Sequence, residues 1–105
     1  MPTPEETARR RALKQATRQA EREAIRSTLP LTPEQMCRLF DFVDEQLSAV
    51  SCDDTLQNTL AFLEKEGLPV DPVIHWLENA GGYCDCEVLA NAEEKFLFAC
   101  PEDNA

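Results

Sequence analysis

Thr32-Pro33-Glu34-Gln35-Met36-Cys37-Arg38-Leu39-Phe40-Asp41-Phe42-Val43-Asp44-Glu45-Gln46-Leu47-Ser48-Ala49-Val50 is the stretch that decides the fold class. Thr32 is a candidate N-cap, Pro33 stands at the first helical position, and Gln35 lies three residues after Thr32, the spacing of a capping box. Met36, Leu39, Phe40, Val43, Leu47 and Val50 then recur at steps of three and four, one continuous apolar stripe. Cys37 and Phe42 flank it. This is an amphipathic helix, and the segments on either side read the same way.

Downstream, a second body helix is expected from Asp53 or Asp54 to Glu66, with Leu56, Leu60 and Leu63 facing inward and Gly67 as its stop. A third has Asp71 as cap and Pro72 in its first turn, presents Val73, Trp76, Leu77 and Ala80, and ends at Gly81-Gly82. Beyond Tyr83 two readings stand. Asp85 can cap a helix bearing Val88, Leu89, Ala92 and Phe96, or Glu87–Ala90 and Lys95–Ala99 can pair as a hairpin around residues 91–94. The helix is preferred.

Upstream, residues 1–28 are rich in Ala, Arg, Glu and Gln, all good helix formers, and hold no Gly or Pro after Pro4. One long helix from Glu5 to Ser27 is expected. The segment carries seven basic and four acidic side chains, a charge of +3; with −10 for the whole chain, residues 29–105 must be −13. Arg10, Lys14, Arg18, Arg22 and Arg26 form a basic column at i, i+4 spacing beside an alanine column. Like charges so spaced repel by a few tenths of a kcal/mol per pair, so an anion would satisfy them. That anion is either the protein's own acidic body or an outside partner. The apolar face, mostly Ala with Leu13 and Ile25, is too weak for a membrane-surface helix.

The expectation is therefore a mainly α protein: residues 1–28 as a basic helix, residues 29–105 as a small acidic helical bundle, and a Cys-bearing turn followed by a short helix or hairpin. At 105 residues there is room for one domain and none for a two-domain enzyme. No run approaches the roughly 20 apolar residues of a spanning helix. The first residues, MPTPEETARRR, hold no apolar stretch like that of a secretory signal, so a cytosolic location is expected. The net charge of −10 argues against general binding to a nucleic-acid backbone.

Five cysteines, an odd number, do not suggest a disulfide framework in a reducing compartment. Cys84-Asp85-Cys86 follows the glycine stop directly. Thiols two apart can reach one ion where the backbone turns, and soft thiolates favour zinc or copper(I). Cys52, before the second body helix, is the best third ligand, and Asp54 (or Asp53) could give an oxygen as the fourth. Cys100 and Cys37 are weaker candidates, and His75 reads as a surface histidine. Against a metal site stand two other readings. The thiols are simply buried, or a helix N-terminus lowers their pKa for redox work, which Asp85 and Glu87 oppose. The single His has no nucleophile at a recognisable spacing, and there is no P-loop and no GxGxxG. A non-enzymatic binding or adaptor domain is expected.

Taken together, Trp76-Leu77, the string Gly81-Gly82-Tyr83-Cys84-Asp85-Cys86-Glu87-Val88-Leu89-Ala90-Asn91, Cys52-Asp53 followed by Thr55-Leu56, Leu29-Pro30-Leu31 and the upstream Arg/Ala-rich helix resemble a bacterial family catalogued as domain of unknown function 2695. The resemblance covers most of the chain and implies a shared fold; the family offers no activity to transfer. Its members often have His where this chain has Asp54, which with Cys52, Cys84 and Cys86 implies a zinc set of three Cys and one His. Here Asp54 replaces that His, leaving an oxygen as the implied fourth donor.

Overall fold

The computed structural model describes residues 3–101, and every one of its regular elements is helical. In order these are α1 (Pro4–Ser27), α2 (Pro33–Ala49), α3 (Gln57–Glu66), α4 (Val70–Asn79), α5 (Asp85–Glu87), a π-helical segment (Val88–Ala92) and α6 (Glu93–Ala99). The choice between helix and hairpin after Tyr83 is thus settled as helix.

α2 begins as its sequence dictates. The Thr32 hydroxyl accepts the Gln35 N–H at 3.1 Å, and the Gln35 side chain accepts the Thr32 N–H at 3.0 Å. Met36, Leu39, Phe40 and Val43 are buried. The stripe ends one turn earlier than its spacing suggests. Val50 lies past the helix in extended backbone and is 67% exposed. Phe40 meets Phe96 of α6 with ring centroids 5.5 Å apart, joining the two ends of the body sequence in one core. Each such large side chain contributes about 1.5–3 kcal/mol when fully buried.

α3 starts later than expected, at Gln57, because residues 53–56 form a turn instead. The Asp53 carboxylate accepts the Thr55 N–H at 3.1 Å, and Asp54 sits in the left-handed region at φ 66°. The start shifts the buried face as well. Thr59, Phe62 and Leu63 point inward, while Leu60 is 41% exposed. At the other end Gly67 adopts φ 66°, and the Leu68 N–H reaches the Leu63 carbonyl at 2.9 Å, closing the helix as a Schellman motif.

α4 takes Pro69 as its N-cap, so Asp71 falls in the first turn rather than at the cap. Val73, Trp76 and Leu77 are buried. The glycine pair does more than stop this helix. Gly81 adopts φ 90°, and its carbonyl accepts from the Asn91 side chain at 2.9 Å. A Cβ on Gly82 would stand 3.1 Å from Val88 Cγ2 and 3.2 Å from the Leu77 carbonyl oxygen. Bare backbone at both positions lets the π-helical segment pack directly on the end of α4.

α1 is capped by Thr3, whose hydroxyl accepts the Glu6 N–H, and it buries no residue. Residues 8–21 are exposed on every face. The molecule measures 55 × 25 × 24 Å. A 24-residue helix is about 36 Å long, and α1 accounts for the long axis. Only its last turns meet the body. Arg22 Nε donates to the Phe98 carbonyl at 3.0 Å and Arg26 Nε to the Ala99 carbonyl at 2.6 Å, while the Arg22 guanidinium lies 5.0 Å from the Phe98 ring centroid. Cations at a helix C-terminus satisfy its unpaired carbonyls and complement its dipole. So the basic column splits: its last two members reach across to the carbonyls at the end of α6.

Candidate metal centre

Two segments far apart in sequence build the site. The 53–56 turn carries Cys52 at its start, and the Gly81-Gly82 stop releases Cys84-Asp85-Cys86 at the opening of α5. The Sγ atoms of Cys52, Cys84 and Cys86 all lie within 4.8 Å of one another, and those of Cys84 and Cys86 are 3.2 Å apart. Cys84 is buried, Cys52 half-buried and Cys86 exposed, so the group lies at the surface with one sulfur beneath. Three sulfurs at such distances could hold a metal ion.

Asp85 holds the two segments in register. Its side chain was expected to cap its own helix. Instead it is buried and turned toward α3, where Oδ2 accepts the Asn58 N–H at 3.0 Å and Oδ1 accepts the Thr59 N–H at 3.1 Å and the Thr59 hydroxyl at 2.8 Å. Its own N–H donates to the Thr55 carbonyl at 2.9 Å. Leu56 at the N-cap of α3 offers no side-chain bond, and locally only the Gln57 N–H is met, by the Thr55 hydroxyl at 3.3 Å. A carboxylate at a helix N-terminus answers both the unpaired N–H groups and the dipole. Because Asp85 is flanked by two of the thiols, this cap also fixes the third thiol's turn against them. A cap arriving from another helix leaves no local spacing signal.

The thiols are not electrostatically equal. Backbone N–H groups of Cys86 and then Asp54 directed at the Cys52 sulfur hold its pKa below the usual thiol value, against some opposition from burial. Cys86 goes the other way. Its hydrogen bonds to Cys84 and Cys52, with burial and the neighbouring sulfurs adding to them, push its pKa up to about 12. Protons on these sulfurs influence one another, and a cation bound here would compete with them for the thiolates.

The remaining sequence candidates separate cleanly. Asp54 belongs to the same turn, but its carboxylate is outside the group of mutually close ligand atoms. Cys100 is buried in the core and Cys37 packs against it; no disulfide joins any of the five cysteines. His75 is exposed on α4. Arg10, Lys14 and Arg18 stand on the exposed half of α1 and make no ion pair among the described residues. No helix of the described residues is long and apolar enough to cross a membrane.

The description "Protein of unknown function (DUF2695)" matches residues 39–91, a span that includes Cys52, Cys84, Cys86 and both helices between them. Similar chains include "Uncharacterized protein Rv2271" of Mycobacterium tuberculosis (strain ATCC 25618 / H37Rv) and "Uncharacterized protein Mb2294" of Mycobacterium bovis (strain ATCC BAA-935 / AF2122/97). Each is 36% identical over 98 residues, which covers 93% of this chain and 99% of the relative. No solved structure matches the chain. From the helical core to the cysteine turn, the chain belongs to the DUF2695 family.

Proposed function

We propose that this protein is a non-enzymatic binding module whose cysteine-bearing end is clamped by one structural zinc ion. The observation that supports this is the meeting of Cys52 with Cys84 and Cys86, from segments that the Asp85 cap locks together. Thiolate sulfur suits zinc, and tetrahedral zinc needs one donor more than the three thiols. Asp54, in the Cys52 turn, is the proposed fourth donor, and its carboxylate would have to swing in from outside the sulfur cluster to supply an oxygen. In a body of this size a bound ion adds directly to folding stability, because the unfolded chain holds no preformed site. Chelation tests it: with excess chelator the melting temperature of the full chain should fall markedly, and Cys84→Ser should melt low with or without chelator. A melt that chelator leaves unchanged removes the zinc clamp.

A second reading concerns the partner. α1 has Arg10, Lys14 and Arg18 on a half that leaves the body, which supports contact with an anionic surface of another protein there. Nucleic acid is disfavoured by the acidic remainder of the chain. Removing residues 1–18 while keeping the Arg22 and Arg26 anchors should abolish partner capture and leave the fold intact. Capture that survives this truncation removes the reading. The thiol-redox alternative loses ground at Cys86, whose pKa moves away from that of a reactive thiolate.

A further inference from the structure

Away from the cysteines, a cavity of about 510 Å³ opens between the α1–α2 connection, α4 and α6, lined by Thr28, Pro30, Pro72, His75, Trp76, Asn79 and Lys95. Its walls are unusual for this chain. In a body whose charge is −13, no Asp or Glu lines the cavity. Pro30, Pro72 and the Trp76 ring give it apolar sides.

The polar groups there are mainly donors. The Lys95 ammonium lies 5.3 Å from the Trp76 ring centroid, and no carboxylate pairs with it among the described residues. Of the body's other two cations, Arg38 pairs with Glu66, whereas Lys65, like Lys95, lies over an aromatic ring; Lys95 is the one that lines this cavity. Trp76 is 94% buried by its 6% exposure, yet its indole N–H has no hydrogen-bond partner among the described residues. That nitrogen is itself closed to solvent, so it lies within the cavity wall and offers a ligand no direct contact. Thr28 and Asn79 add a hydroxyl and an amide to the rim.

We infer that this cavity binds a small organic acid, its apolar body against Pro30, Pro72 and Trp76 and its carboxylate toward Lys95. Apolar walls with a few convergent polar groups are the usual construction of a small-molecule site. The single negative charge matters, because a polyanion would meet the acidic field of the rest of the chain. This inference is independent of the zinc clamp.

The full chain, isotopically labelled, provides its own reporter: one tryptophan, hence one indole N–H resonance. Sodium phenylacetate serves as the probe, with neutral phenylacetamide as its near-isostere. Phenylacetate should move the Trp76 indole resonance saturably, with a dissociation constant on the order of 1 mM or below for a ligand this small. Phenylacetamide should bind at least about tenfold more weakly, and Lys95→Met should cost phenylacetate the same factor, about 1.4 kcal/mol. Arg11→Met, on the exposed half of α1, should leave the titration unchanged. Circular dichroism melts verify that Lys95→Met is folded, and Lys95→Gln repeats the test with a polar replacement. No saturable shift with phenylacetate, equal binding of acid and amide, or full affinity in both folded Lys95 variants would overturn the inference.

Discussion

Asp85 Oδ1 accepts both the backbone N–H and the hydroxyl of Thr59, at 3.1 and 2.8 Å, and both residues are buried. This one contact caps α3, holds the start of α5, and brings the Cys52 turn against the Cys84–Cys86 turn. Structure and site depend on the same carboxylate. Asp85→Ala strips partners from the Asn58 and Thr59 N–H groups and the Thr59 hydroxyl together, and should cost roughly 2–4 kcal/mol of stability. Thr59→Val removes only the hydroxyl and should cost about 1 kcal/mol. Denaturant unfolding of both variants measures the difference, and near-equal losses would refute the shared-cap account.

The thiols should react in an order that exposure alone does not give. Cys86 is the exposed member, but its pKa of about 12 keeps it protonated through neutral and mildly alkaline pH. Cys52, held below the ordinary value by backbone N–H groups, forms thiolate first. In metal-stripped protein, mass mapping of iodoacetamide adducts between about pH 7 and 9 should find Cys52 modified ahead of Cys86. Metal affinity should rise with pH over the same range, because protons and the cation compete for the same sulfurs.

Glu93 should make the fold less stable as pH rises. Burial first, then Asp44 and Asp41 nearby, push its carboxyl above the model-compound value of 4.5. The folded state therefore holds this proton more tightly than the unfolded chain. The unfavourable contribution is absent below about pH 4.5, grows as pH rises toward the folded-state pKa, and is complete above it. Glu93→Gln should raise the melting temperature at pH 7 and change it little near pH 4. A variant that melts lower than the parent at pH 7 would contradict this sign.

α1 should be divisible at the point where it meets the body. Loss of residues 1–18 should shift the melting temperature by no more than about 2 °C, since residues 8–18 bury nothing. The double variant Arg22→Ala, Arg26→Ala should cost about 2 kcal/mol, from two charge-assisted bonds to the last carbonyls of α6. That loss corresponds to a fall of roughly 8–16 °C in melting temperature for a body of this size.

Much of this was legible in the sequence where local chemistry decides. The Thr32–Gln35 capping box, the Met36–Val43 stripe, the Gly67 stop and the Gly81-Gly82 break all express interactions within a few residues. The convergence of Cys52 with Cys84 and Cys86 followed from asking which helix-leading loops could meet at one end of a bundle. What stayed hidden depends on tertiary contact. The delayed start of α3 and the exposure of Leu60 follow from the Asp53–Thr55 turn together with a cap supplied by Asp85 from another helix. The split of the basic column could not be read from i, i+4 spacing, because the anchors of Arg22 and Arg26 are carbonyls on α6. Cavity and indole alike are products of packing, and no pattern along the chain marks them.

Native mass spectrometry of the full chain, purified without added metal and then compared under denaturing conditions, addresses the cysteine cluster most directly. A folded species heavier by one zinc ion is expected, with the excess lost on denaturation and absent from the Cys84→Ser variant. A folded protein that stays metal-free even after incubation with excess zinc would show that the three thiols serve packing alone.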